Sequence, residues 1–352
     1  MPTLFDPLKV GALTLPNRIV MAPLTRQRAQ TGSRVPSDLA VEYYRQRASA
    51  GMILSEATSV TPMGVGYADT PGIWSDEQTE GWKKVTRAVH DAGGLILLQL
   101  WHVGRISHPL FLNGETPVSS SAIKPAGYVS LVRPETDYVT PRALALEEIP
   151  GVIADYKKGA QNAKAAGFDG VEIHGANGYL LDQFLQDKTN LRTDAYGGTR
   201  EKRARLMLEV TDAVVEVWGA DRVGMHLAPR MNSHDMGDGD ALATFTNIAR
   251  ELGKRKLAFL CAREAQNADS IGPAIKDAFG GVYIANESFT RESAQQALAD
   301  GKADAVAFGK LFIANPDLPK RFMTGASLNA WNKGTFYFGG ASGYTDYPAL
   351  AP

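Results

Sequence analysis

One cysteine, Cys261, stands in 352 residues, so no intrachain disulfide can form and no zinc site built on paired thiolates is available. Neither sign of charge is in surplus: 37 basic against 38 acidic side chains leave a net −1. Without excess Lys and Arg to neutralise phosphates, neither nucleic acid nor an anionic membrane is expected as a partner, and a small-molecule substrate is. No run approaches the roughly 18 consecutive apolar residues of a membrane span. Met1–Val10 has no basic region followed by an apolar run, so no secretion signal is expected and a cytoplasmic location is. The six histidines form neither HExxH nor another ligand-spaced set, so no metal is expected. His90, His102, His108 and His234 read as surface or loop histidines. Nucleotide signatures are missing too: no GxxxxGK[ST] loop, and no GxGxxG after a strand.

What is present is ordinary globular composition, 44% hydrophobic and 21% charged, patterned as alternating strands and helices. Eight short β-rich apolar runs recur: Arg18–Leu24, Gly51–Ala57, Leu95–Trp101, Gly170–His174, Val223–Pro229, Leu257–Glu264, Gly281–Asn286 and Ala305–Phe312. Helix-like segments lie between them, among them Asp76–Ala92, Ile149–Ala166, Arg200–Trp218, Asp240–Lys254 and Arg291–Asp300. Continuous apolar strands are buried on both faces, which implies a parallel sheet, and eight such units close most simply into a (β/α)₈ TIM barrel. Residues 1–352 are expected to form a single domain, as a monomer or small homo-oligomer. Leu4–Asn17 alternates around Gly11 and reads as a hairpin at the barrel bottom. Residues 106–149, rich in Pro and Ser, read as a capping excursion after strand three.

Barrel chemistry sits at the carboxyl ends of the strands. There the sequence places Thr25, Arg26, Glu56, Gln99, His102, His174, Asn177, His226, Glu264, Asn286 and Lys310. His174 and Asn177, three apart on what reads as a forming helical turn, can aim two donors at one acceptor, and Tyr179 adds a phenol. Two donors and an acid suit a reaction in which an oxygen gains charge while a neighbouring carbon is protonated. The same residues also suit plain packing, His174 on backbone carbonyls and Tyr179 under the helix. Gly309-Lys310 offers a cation at a flexible turn for a phosphate, a weak signal by itself.

These residues belong to a longer ordered set: Met21-Ala-Pro-Leu-Thr-Arg26, Tyr44-Arg-Gln-Arg-Ala-Ser-Ala-Gly51, Gln99-Leu-Trp-His102, Tyr196-Gly-Gly198, Ala305-Val-Ala-Phe-Gly309 and Gly343-Tyr-Thr-Asp-Tyr-Pro348. In that order they resemble the Old Yellow Enzyme family of flavin-dependent ene-reductases over nearly the whole chain. The resemblance implies a barrel holding FMN, reduced by NADPH or NADH, which passes hydride to activated alkenes such as enones and nitroalkenes, with nitrate esters as a further class. It assigns Pro23, Leu24, Thr25, Ala57, Gln99, His226, Asn286, Gly309 and Lys310 to the cofactor. It assigns His174 and Asn177 to the substrate's activating oxygen and Tyr179 to proton donation. Tyr67, Trp101 and Tyr337 fall where aromatic side chains line the substrate pocket.

Three positions depart from the family pattern, all on the cofactor side. Strand five carries His226 where the resemblance implies an arginine near flavin N1 and C2=O. The turn after strand seven is Asn286-Glu287-Ser288 where small residues approach the phosphate, and Lys310 replaces an arginine. The alternative reading is therefore a barrel of this lineage with weakened or lost FMN binding, repurposed as a ligand-binding protein.

Overall fold

The structure, a computed structural model, describes residues 1–351. It opens with a hairpin: β1 (Leu8–Val10) and β2 (Leu13–Leu15) pair antiparallel about Gly11, whose φ of +55° is left-handed. A Cβ there would also strike the Asp221 carbonyl, so glycine lets the turn sit flush against the barrel bottom, where the Ala12 N–H donates to Asp221 O at 2.9 Å.

The barrel follows. β3 (Ile19–Met21) and β4 (Met52–Leu54) precede a two-residue strand, β5 (Thr58–Ser59), which pairs beside β6 (Ile96–Trp101). The excursion contributes β7 (Val118–Ser119) and β8 (Arg142–Ala143), paired only with each other. β9 (Gly170–His174), β10 (Val223–Leu227), β11 (Phe259–Arg263), β12 (Tyr283–Asn286) and β13 (Ala305–Phe308) complete the set. β3, β4, β6 and β9 to β13 form a closed parallel ring, sealed where β13 pairs with β3 and β4 with β6. These are the eight runs read from the sequence: Gly170–His174 keeps its bounds and the other seven are shortened at one or both ends.

Helices cover the outside: α1 (Asp38–Arg45), α2 (Asp76–Asp91), α3 (Ile149–Ala165), α4 (Leu180–Leu185), α5 (Arg200–Trp218), α6 (Ala241–Lys254), α7 (Gly272–Phe279), α8 (Arg291–Ala299), α9 (Lys310–Ala314) and α10 (Leu318–Thr324). Helix α2 shows why these boundaries fall where they do. Ser75 Oγ accepts the Gln78 N–H and Gln78 Oε1 accepts the Ser75 N–H, both at 3.2 Å, a reciprocal cap. Trp82, Val85 and Val89 then recur at helical spacing on the buried face.

Alternation along the strands separates two cores. Ile19 and Met21 face the helices, whereas Val20 and Ala22 point inward with Met52, Leu54, Cys261, Ile284 and Ala305, packed from below by Val10, Leu13 and Leu15 of the hairpin. Inward residues near the mouth are small, Ala22 on the β3 side and Ala307 on β13, which leaves space above the packed floor. The excursion packs Ile106, Val129 and Tyr138 against Trp101, Tyr67 and Tyr179. Gln183 of α4 fastens it by accepting the Ser119 hydroxyl at 2.9 Å.

His102 corrects its surface reading: it is buried just past β6, its Nδ1 accepts the Gly104 N–H at 3.0 Å, and burial draws its pKa down to about 3. The folded form thus binds fewer protons than the unfolded one. Its contribution to stability is complete above the ordinary value of 6.5 and is lost as pH falls towards 3. The urea midpoint is expected to drop on acidification from neutral pH, less steeply in His102→Asn. Equal slopes for the two proteins would contradict this.

Candidate active site

The space above the barrel floor is a cavity of about 760 Å³ at the carboxyl ends of the strands, well within the span of small-molecule sites. Pro23, Leu24 and Thr25 enter it from the segment after β3, and Ala57 from that after β4. Gln99 and Trp101 rise from β6, and His174, Asn177 and Tyr179 from the end of β9 and its turn. His226, Asn286, Gly309, Lys310 and Tyr337 complete the lining. Tyr67 is absent from the cavity wall. It stands behind Tyr179, with the two hydroxyls 2.9 Å apart, and stacks on Trp101 at 5.5 Å between ring centres. No residue of 106–149 lines the cavity, so the excursion supports the aromatic wall from outside.

The floor is set by strand register. His226 pairs with His174 on one side and Cys261 on the other, and Gln99 with Glu172, so five inward side chains meet across four neighbouring strands. The fully buried Glu172 carboxylate accepts Gln99 Nε2 at 2.7 Å and lies 3.2 Å from His226 Nδ1, which therefore carries the hydrogen. Glu172, His226 and Cys261 bring metal-ligand atoms within 4.8 Å of one another, with two of the three already hydrogen-bonded together.

At the reactive wall each polar group carries a hydrogen it can donate. His174 Nδ1 accepts the Ala176 N–H at 3.3 Å, which leaves the ring hydrogen on Nε2. Burial, then the nearby His226 and Arg263, hold its pKa well below the ordinary 6.5, so the ring is neutral. Asn177 Oδ1 accepts Arg263 Nη1 at 3.3 Å, which leaves the amide hydrogens for a ligand. Burial raises the pKa of Tyr179, which keeps its proton. His174 and Asn177 do not share a helical turn: α4 begins only at Leu180, and Asn177 is left-handed at φ +59°. The pair meets because an asparagine tolerates that conformation and Gly178 continues it, with the Gly178 N–H held by Asp182 Oδ2 at 2.9 Å.

Four rim candidates face elsewhere. Arg26 is buried and donates to the carbonyls of Phe336 at 2.9 Å and Gly343 at 2.7 Å, holding the C-terminal segment that presents Tyr337. Glu56 accepts the Arg26 N–H at 3.1 Å, and burial lifts its pKa to about 7. Glu264 accepts Ser270 Oγ and the Ile271 and Gly272 N–H groups, tying the loop before α7. His102 is the fourth. Conversely, Arg263 lines the cavity in place of its neighbour Glu264, the residue expected from the sequence. Strand parity carried the signal: Cys261 faces inward, so Arg263 does too and Glu264 does not.

At the opposite end, Asn286 Nδ2 donates to Ala307 O at 2.7 Å and leads into Glu287 and Ser288, at φ +116° and +58°. Both conformations favour glycine. Lys310 and Arg291 supply the positive charge of this end.

The residue pattern of the NADH:flavin oxidoreductase / NADH oxidase family matches residues 3–329. The chain belongs to the Old Yellow Enzyme family. It is 43% identical to 12-oxophytodienoate reductase 2 of Arabidopsis thaliana over 361 aligned positions, 99% of this chain and 96% of that protein. Among solved structures it is similar to morphinone reductase in complex with tetrahydroNAD, at 49% identity and a TM-score of 0.96, covering 100% of this chain and 98% of that one. It is also similar to the Old Yellow Enzyme homologue of Zymomonas mobilis, at 45% identity and a TM-score of 0.96, covering 99% and 100%. As an Old Yellow Enzyme it is a nicotinamide-dependent flavin ene-reductase, with FMN as the cofactor of the family.

Proposed function

We propose that this cavity holds FMN and that the chain reduces the activated C=C bond of enones and nitroalkenes, with nitrate esters as a further substrate class. The observation that carries this is the reactive wall, where His174, Asn177 and Tyr179 each bring a hydrogen to donate to one cavity.

The remaining lining suits FMN. Thr25 and Gln99 offer hydrogen-bonding groups to a flat heterocycle, Pro23, Leu24 and Ala57 offer apolar contact, and Lys310 and Arg291 offer charge to a phosphate. Bound FMN supplies the two-electron chemistry, taking reducing equivalents from NADPH or NADH and passing them to the alkene. His174 Nε2–H and the Asn177 amide bind the carbonyl or nitro oxygen, where negative charge grows as the β carbon is reduced. Tyr179 gives its hydroxyl proton to the α carbon, completing the addition of H⁻ and H⁺ across the double bond. Trp101, stacked on His174 at 6.2 Å, and Tyr337 at the mouth shape the space for the substrate.

The test is to reduce FMN-loaded protein with NADPH under anaerobic conditions and then add 2-cyclohexenone. Bleaching of the visible band followed by its return, with cyclohexanone formed, is expected. Bleaching with no return on addition of an enone or a nitroalkene would overturn the proposal.

The phosphate end yields its own prediction. A non-glycine residue in a sparsely populated conformation costs about 1–3 kcal/mol, and the acidic Glu287 side chain opposes an anion. Its ion pair with Arg263 is partly exposed and offsets this by no more than about 1 kcal/mol. Glu287→Gly is therefore expected to raise the denaturation midpoint and slow FMN release on dialysis. No change in either would contradict the assignment of this turn.

A further inference from the structure

The fifth barrel strand, β10, presents a histidine where the family resemblance implies a fixed cation, and that histidine is committed to the floor through Glu172. One strand over, β11 supplies what is missing. Cys261 pairs with His226, and Arg263, two residues on, shares its inward direction one layer nearer the mouth. Among the described residues, Arg263 is the one arginine or lysine that β9, β10 and β11 contribute to the cavity wall. The other lining cations sit elsewhere: Lys310 and Arg291 at the phosphate end, and Arg321 paired with Asp317 at 2.7 Å.

The guanidinium is held, not loose. Its Nε donates to Glu287 Oε2 at 2.5 Å and its Nη1 to Asn177 Oδ1 at 3.3 Å, while Nη2 has no partner among the described residues. About 38% of the side chain remains exposed. Its charge reaches the neighbouring titratable groups, helping to hold His174 neutral.

We propose that Arg263 supplies the permanent positive charge for the reduced flavin in this protein, transferred from the fifth barrel strand to the sixth. Two-electron reduction with uptake of one proton leaves the flavin as an anion, so a fixed cation stabilises the reduced form over the oxidised one and raises the reduction potential. The inference rests on the FMN reading above. It also changes what His226 means, because the imidazole need not carry charge where Arg263 already does.

The experiment measures the midpoint potential and the FMN dissociation constant of loaded Arg263→Met, Arg263→Lys, and Arg263→Met combined with His226→Arg. Arg263→Met is expected to hold reduced relative to oxidised flavin about tenfold less well, which lowers the midpoint by about 30 mV for a two-electron couple. Arg263→Lys retains most of the parent potential, and His226→Arg in the methionine background restores what the methionine variant loses. A parent-like potential and FMN affinity in Arg263→Met, with only the alkene KM raised, would overturn the inference and assign Arg263 to substrate binding through Asn177. Failure of the unsubstituted protein to retain FMN would overturn the underlying reading instead, and is told apart by the absence of a flavin band in every variant.

Discussion

Tyr179→Phe is expected to slow reoxidation of the reduced enzyme by an enone by about 10²–10⁴-fold, the usual worth of a positioned general acid, while reduction by NADPH continues at close to its original rate. The substitution removes one oxygen and keeps the ring. The ring packs edge-on to Trp101 at 5.0 Å and to His174 at 5.1 Å, so the wall stays in place. Only the proton disappears from the site, and with it protonation of the α carbon. Tyr67 loses its hydroxyl partner 2.9 Å away but is not itself on the cavity wall, so it cannot serve as the donor in its place. Stopped-flow traces of the two half-reactions separate the outcomes. An equal loss in both would show that Tyr179 shapes the cavity without giving a proton.

His174→Ala is expected to cost about 10²–10³-fold in alkene reduction, comparable to the loss of one preorganised donor to a developing oxyanion. Asn177→Ala removes the second donor to the same oxygen. The double variant is expected to lose less than the product of the two single losses, because the first removal already lets the oxygen shift. Burial, with His226 and Arg263 nearby, holds His174 far below the ordinary histidine pKa of 6.5. The alkene half-reaction is accordingly expected to show no titration near that pH attributable to this ring, since it is neutral on both sides. A rate step near pH 6.5 that vanishes in His174→Ala would contradict the neutral-donor role.

The barrel was legible because its strands are buried on both faces, so Met52–Leu54 and Leu95–Leu98 are apolar without alternation. Helix starts were legible where a side chain caps them, as Ser75 does for α2 and Thr199 for α5. The rim was harder. Nearness to a strand end does not say which way a side chain points, and a slip of one residue exchanges cavity for outside, which is how Glu264 stood in for Arg263. Arg26 and Glu56 look like site residues in the sequence because they are charged at strand ends. Their partners, the Phe336 and Gly343 carbonyls for Arg26 and the Arg26 N–H for the Glu56 carboxylate, lie too far along the chain to be paired by inspection. For His174 and Asn177 the spacing led to the right grouping through the wrong geometry, since a left-handed residue is not visible in a three-residue interval.

The measurement that bears most directly on the central claim is the visible absorption spectrum of the purified protein after equilibration with excess FMN and exhaustive dialysis. A retained flavin band corresponding to one FMN per chain, lost on unfolding, is the predicted result. A colourless protein would contradict it and leave the barrel as a scaffold for some other ligand.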